Sequence, residues 1–421
     1  MAQQQCHAPA TAAEVEDAVA AAVVARRGLE IRGGGSKRLV RMPIESDALL
    51  DMRGVAGITD YDPDELVLTA RAGTPLVEIE AALGERQQML AFEPFDHGPL
   101  FGAAPGRATL GGVIAGNVSG SRRLSMGAAR DHILGFTAVS GRGEALKGGG
   151  AVVKNVTGFD LPKLMAGSWG TLAVLITITM RVLPRPRTET TVLFRGLSDQ
   201  AANRLMSAAL ALPAAVSAAA HLPSSGSTAP SCATTALRLE GFGPSVEARC
   251  RELLSALAPV AAGEEVAGEE SRAFWQGVRA LDALPREGHV LWRISVPPAL
   301  GWRVGEMLAP IGARCVYDWA GALVWAAVSE NALHGGAAGE RGGAYAECGR
   351  IGSTARALGG HAVLVRAPSA MREALRAAAP EAADTDQGLA DQGLKMLHRR
   401  LKAAFDPHGI LNPGIDLAGE L

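Results

Sequence analysis

The sequence predicts an α+β protein with more than one domain. Two observations carry this prediction. The chain has 421 residues, and domains typically run about 100–200 residues. Its β-rich stretches are short and separated by helical ones, and a Pro-Arg alternation at residues 184–187 interrupts them. A glycine-clustered part precedes that interruption and an Ala-rich part follows it.

The elements follow in chain order. Residues 11–27 predict a helix: Thr11 supplies the N-cap, Glu14 stands three residues on, and Arg26 and Arg27 complement the C-terminal dipole before Gly28 stops it. Residues 29–32 predict a short strand that runs into Gly33, Gly34 and Gly35. Residues 49–93 predict a strand, an Asp-Pro turn at 62–63, a strand over 65–73 and a helix to about Leu83. Thr74 is the expected cap of that helix, with Pro75 in its first position. Residues 132–139 and 172–182 are rich in Ile, Val, Leu and Thr and predict strands. In the Ala-rich part, TTVLF, ALRLEGF, HVLWRISV, CVYDW, ALVWAAV and HAVLVRA predict strands, and residues 244–257 a helix. Residues 224–231 and 335–343 have loop composition. Residues 392–405 predict a basic amphipathic helix ended by Asp406-Pro407.

Composition narrows the function classes. Net charge is −2 and only 4% of residues are aromatic, which argues against a nucleic-acid or anionic-membrane footprint and against a base-stacking surface. Five cysteines stand far apart with no CxxC, so reduced thiols and no thiolate-held zinc or iron–sulfur centre are expected. No basic, then apolar, leader opens the sequence, and the apolar run 172–180 is short of the roughly 20 residues a span requires. A cytoplasmic protein is expected, with membrane contact only through partners.

The stretch IRGGGSKRLV, residues 31–40, looks like a phosphate cradle. It is not a P-loop, because Ser36 precedes Lys37 where GxxxxGK[ST] needs the reverse. It is not a Rossmann turn either, because Arg38 stands at the third glycine position and residues 38–44 do not open a helix. A nest of successive backbone N–H groups remains, which binds an anion without a lysine. On that reading Lys37 is a bystander at the edge.

Further motifs follow in fixed order: AGT at 72–74, TLGG-x3-GN-x2-G at 109–120, RD-x-ILG at 130–135, KN-x-TG-x-DL at 154–161, GS-x-GTL at 167–172 and LNPG at 411–414. With RGGGS they resemble the vanillyl-alcohol-oxidase, or PCMH-type, FAD-binding family. More narrowly, the whole chain resembles the smaller FAD-binding subunits of glycolate oxidase (glycolate dehydrogenase) complexes. The resemblance implies a PCMH-type domain of two α+β subdomains over residues 1–185 and a smaller α+β cap or substrate domain over 186–390. It further implies that a helix and tail over 391–421 return to the FAD domain.

The resemblance also implies which residues hold FAD. Gly33, Gly34, Gly35 and Ser36 would give N–H donors to the pyrophosphate, whose two negative charges suit convergent donors. Gly73 and Thr74 form a turn beside it. Thr109, Gly111, Gly112, Gly116, Asn117 and Gly120 would bring backbone close to the dinucleotide, with Asn117 toward the polar flavin edge. Gly167, Ser168, Gly170 and Thr171 would wrap the ribose–pyrophosphate region, and Ile176 matches a position whose backbone meets the cofactor. Residue chemistry alone leaves Ser36 as a turn cap, Asn117 as a satisfied loop amide and Ile176 as core. Arg130 and Asp131 read as a surface pair, and Lys154 and Asn155 either order their loop or face the flavin.

No His or Cys lies in 31–40, and His97 and His132 are the nearest candidates for attachment, so the FAD is expected to be noncovalent. Between residues 188 and 380, His221, His289, His334 and His361 stand singly, so the metal cluster of related 2-hydroxy-acid dehydrogenases is expected to be absent. The resemblance implies oxidation of glycolate to glyoxylate in a complex with a larger FAD-containing subunit and an iron–sulfur subunit. The alternatives are a stand-alone hydroxy-acid or polyol oxidoreductase and an assembly subunit with structural FAD.

Overall fold

The computed structural model describes residues 5–38, 40, 44, 46–150, 159–224, 232–334, 343–378 and 389–415. Their contacts divide the chain into two compact units. The first draws on residues 1–119, 127–185 and 381–419, and the second on residues 120–126 and 186–380. The segments 225–231 and 335–342, and Lys154 and Asn155 of the KN motif, lie outside the described residues.

The first unit opens with β1 (Gln5–His7) and α1 (Ala12–Ala25). Thr11 Oγ1 accepts from Glu14 N at 3.2 Å, and the Glu14 carboxylate accepts from Ala10 N at 2.7 Å. The helix ends earlier than its glycine predicts. Arg26 takes the left-handed conformation and closes the last turn, while the N–H of Gly28 goes to Asp47 at 2.7 Å. Val15, Val19 and Ala22 bury the inner face.

Next come β2 (Leu29–Arg32), β3 (Ala48–Asp51), β4 (Ile58–Asp62), β5 (Val67–Arg71), α2 (Leu76–Glu85) and β6 (Gln88–Met89). Asp62 closes the Asp-Pro turn by accepting from the N–H groups of Asp64 and Glu65. Thr74 does not cap α2. Its hydroxyl donates to Arg71 O at 2.6 Å and accepts from Gly57 N at 2.9 Å, pinning the AGT turn. After α3 (Leu110–Ala115) follow β7 (Ile133–Ser140), β8 (Ala145–Gly149), β9 (Ala173–Arg181) and β10 (Leu183–Pro184).

Among the described residues, β1, β3 and β2 form a parallel sheet and β4-β5-β9-β7-β8 an antiparallel one. Strand β9 is the centre of the latter, and a bulge in its pairing with β7, beside Thr137 and Ala138, switches which face meets which core. Val174 and Ile176 pack with α1, β2 and β3, while Ile178 and Met180 join the core beneath α2 and α3. Its threonines pair across the sheet, Thr177 with Thr137 and Thr179 with Thr69.

The second unit contains β11 (Thr188–Arg195), β12 (Ala218–Leu222), β13 (Thr234–Gly241), β14 (Gly263–Ala267), β15 (His289–Ser295), β16 (Arg314–Asp318), β17 (Leu323–Ser329) and β18 (His361–Arg366). Among the described residues they make one sheet in the order β14-β11-β13-β12-β16-β17-β15-β18. Helices Asp199–Ala211 and Gly243–Leu257 cover one core, built on Val192, Phe194, Leu237 and Leu239. Trp292, Ile294, Val324 and Val328 centre another. Two strands escape the sequence reading: β12 is mostly alanine, and β14 is a Glu-bearing edge strand with no apolar alternation.

Residues 120–126 belong to this unit. Trp319 Nε1 donates to Gly120 O at 3.0 Å, and Ser121 Oγ donates to Asp318 Oδ2 at 2.8 Å. Arg122 forms a two-pronged pair with Glu240, and Arg123 lies over the Trp319 indole.

Candidate FAD site

One cavity of the first unit gathers the glycine loop, the AGT turn, the start of α3, the GS-x-GTL turn and the C-terminal LNPG. The loop is seated by contacts that leave no room for side chains. A Cβ on Gly33 would lie 2.2 Å from Thr109 Oγ1, and one on Gly34 only 1.5 Å from Arg107 O. Gly35 sits at φ +73°, where a side chain would be strained. Among the described residues none accepts a hydrogen bond from the N–H groups of Gly34, Gly35 or Ser36. These donors border the cavity, which is the condition for a backbone anion nest.

The opposite wall is α3. Thr109 caps it by accepting from Gly112 N. Gly111 N donates to Ala72 O at 2.7 Å, and a Cβ on Gly111 would lie 2.8 Å from Ala72 Cβ. The lack of a side chain at Gly111 therefore lets α3 lie against the AGT turn. Gly73 is held just as closely, 2.0 Å from its virtual Cβ to Met52 O.

The fourth wall returns from far along the chain. Leu29 N donates to Ile410 O, and Asn412 N to Leu29 O, which lays the tail beside β2. The Asn412 side chain accepts from Ile31 N and donates to Trp169 O, both at 2.7 Å. Lys402 Nζ, on the helix Leu389–Phe405, donates to Thr171 O, Leu411 O and the Asp406 carboxylate.

Of the seventeen residues assigned from the resemblance, the cavity is lined by Gly33, Gly34, Gly35, Ser36, Thr109, Gly111, Gly112 and Gly170. The others do not line it. Ser168 Oγ donates to Met165 O and Thr171 Oγ1 to Ser168 O, so both hydroxyls shape the turn that presents Trp169 and Gly170. Gly167 N donates to Ile114 O. Asn117, at φ 46°, accepts from Arg130 N at 3.1 Å, the satisfied loop amide that residue chemistry left open. Ile176 O accepts from Ala72 N, and its side chain is core. Gly73, Thr74 and Gly116 support the walls, and Gly120 lies in the second unit.

Four contributors were missed. Glu30, 2% exposed, accepts from Arg32 and Arg38 and orients both around the loop. Trp169 and Asn412 line the cavity, the latter announced by the LNPG ending. The sequence reading leaves Lys37 a bystander at the edge of the loop. It lines the cavity, and its stem runs over α3: virtual Cβ atoms on Gly112 and Gly116 fall 3.5 Å from its Nζ and 3.3 Å from its Cδ. Burial pushes its ammonium down to about 8, against the opposing pull of the Asp96 carboxylate.

Among the described residues the cavity lining contains no His or Cys. His132 is fully buried and tilted against Phe92. Arg130 and Asp131 form a loose surface pair at 3.8 Å. His221, single in the sequence, bonds Thr235 and Asp199 in the second unit. Among the described residues no group of three His, Cys, Asp or Glu is placed to hold a metal.

A glycine nest, a helix start bearing Gly111 and Gly112 and a returning tail line one cavity, and the class is that of the FAD-binding proteins of the FAD-linked oxidase type. Residues 4–149 match the FAD binding domain family, and residues 389–415 the C-terminal domain of FAD linked oxidases. The chain is 37% identical to the glycolate oxidase subunit GlcE of Escherichia coli over 92% of its length and 91% of that protein. It therefore belongs to the GlcE family of FAD-linked oxidoreductases, with FAD as cofactor. A D-2-hydroxyglutarate dehydrogenase of Xanthomonas citri is 32% identical over 40% of this chain and 33% of that protein. The glycolate oxidase subunit GlcD of Bacillus subtilis is 28% identical over 36% of this chain and 30% of that protein. A solved structure of alkyldihydroxyacetonephosphate synthase shares the fold at a TM-score of 0.66 and 16% identity, covering 98% of this chain and 77% of that one.

Proposed function

We propose that this chain is the FAD-binding subunit of a multi-subunit glycolate-oxidising enzyme. The observation that supports it is the match to GlcE, which runs through both units. Bound FAD supplies the two-electron acceptor for oxidation of a CH–OH group. In this chain the N–H groups of Gly34, Gly35 and Ser36 receive the pyrophosphate, while Ile31, Ala115 and Leu175 provide apolar wall against water. Electrons leave to a partner, for which we infer a larger FAD-containing subunit and an iron–sulfur subunit. Among the described residues no helix is long and apolar enough to cross a membrane, so membrane attachment is assigned to those partners.

The test is affinity purification of the chain from its host, with an absorbance spectrum and identification of what comes with it. Flavin bands, a second FAD-linked subunit and glycolate-dependent dye reduction are expected from the assembly. A flavin-free preparation refutes the reading. A chain that purifies alone and oxidises hydroxy acids unaided replaces it with a stand-alone enzyme.

A further inference from the structure

We infer that Lys37 is a cofactor-binding cation whose ammonium neutralises the phosphate-bearing linker of the dinucleotide from inside the cradle. The inference rests on the FAD reading of this cavity and adds to it a residue that the glycine-nest logic leaves out.

Three observations carry it. The first is position. The Lys37 stem lies in the groove between the glycine loop and α3, over Gly112 and Gly116, and neither glycine has a side chain to push it out. A Cβ on Gly116 would lie 3.3 Å from Lys37 Cδ, tighter than an ordinary contact, and one on Gly112 would meet its Nζ at 3.5 Å. The second is that, among the described residues, it has no strong partner. Its short-range contact is Ser36 Oγ at a long 3.4 Å. The Asp96 carboxylate acts on it through space but accepts from the N–H groups of Gly98 and Arg107, both at 2.9 Å. The third is the local charge balance. Among the described residues, Arg32, Lys37 and Arg38 line the cavity, and Glu30 is the one carboxylate lining it with them. Glu30 is engaged by both arginines, at 2.7 Å and 3.0 Å. Among the described residues the cradle thus carries excess positive charge, and the dianionic pyrophosphate is the part of FAD that would balance it.

Among the described residues, the charged groups around Lys37 are Asp96, which acts on it through space, and Arg32, Arg38 and Glu30, which line the same cavity. The α3 residues under its stem are Gly112 and Gly116. Burial pushes the lysine down to about 8, and a phosphate beside it would raise that value. Binding therefore takes up a proton when the pH lies above about 8, and affinity falls as pH rises through that region.

The test is FAD affinity of the apoprotein, read by quenching of flavin fluorescence at several pH values and salt concentrations. Lys37→Met is expected to weaken FAD on the order of tenfold or more, to lose the decline above pH 8 and to show a shallower salt dependence. Lys37→Arg keeps the charge and retains most of the affinity. Circular dichroism melting of the apoproteins verifies that the variants are folded. If Lys37→Met does not fold, the wild-type pH profile and proton uptake on binding decide, and a flat profile overturns the proposal. Equal affinities of wild type and Lys37→Met overturn it while leaving the FAD reading intact. A wild-type chain that binds no FAD overturns both.

Discussion

Gly34 shows what a single residue decides here. From sequence alone its role is to expose an N–H, and a substitution harms by what it brings near the pyrophosphate. In the fold the first atom of any side chain would lie 1.5 Å from Arg107 O, so the loop must leave its seat before a ligand is involved. Gly34→Ala is therefore expected to be nearly as harmful to FAD retention as Gly34→Asp, and to cost about 1–3 kcal/mol of stability by overpacking. Thermal melting with and without FAD checks both. The same scale explains which site residues were legible. Small residues in a fixed order announce where the backbone must come close, but not to what: Gly111 meets Ala72, and Gly112 meets Thr109 and Lys37. Hydroxyls and amides are less legible still. Ser168, Thr171 and Asn117 carry ligand-binding chemistry, and each spends it on a neighbouring backbone group.

Elements were legible where their pattern matched their surroundings. Strand β9 is rich in Ile, Val, Leu and Thr and reads as a strand at once, and α1 announces its start through Thr11 and Glu14. Strands β12 and β14 do not, because alanine and glutamate carry little strand preference and only the neighbouring strands hold them extended. The tail is the element whose role was least visible, since its partners lie at the other end of the chain. Asn412→Ala removes the bonds to Ile31 N and Trp169 O. Each is worth about 1 kcal/mol, so a loss of about 2 kcal/mol in stability and weaker FAD retention are expected, measurable by denaturant melts and by flavin release on gel filtration. Asn412→Asp keeps the acceptor but not the donor, and is expected to fall between.

At the scale of the molecule, two carboxylates of the second unit and one of the first set its acid limit. Hydrogen bonds from Arg53 hold Asp51 below its usual range. Burial would raise Glu240, but Arg238 and Arg122 outweigh it and hold it low. Burial likewise opposes the bonds from His221 and Tyr317 that keep Asp199 low. A depressed carboxylate stabilises the fold above its unfolded pKa of about 4 and loses that contribution as pH falls through its folded value. Melting temperature is therefore expected to be level near neutrality and to drop below about pH 4. Arg122→Met strips a buried carboxylate of its closest cation. It is expected to cost about 3 kcal/mol at neutral pH and to flatten the acid limb in the same melts, since Glu240 then gives up less on protonation. Neither the strap that brings Arg122 to Glu240 nor the tail can be read from local pattern, because both are made by pairings across more than a hundred residues. The tail has a last consequence in time. Ile31 and Asn412 are 381 residues apart, and a ribosome adding about 5–20 residues per second needs roughly 20–80 s to pass from one to the other. For that interval the nascent glycine loop stands without its closing wall, so cofactor capture is expected to follow synthesis of the tail rather than of the loop.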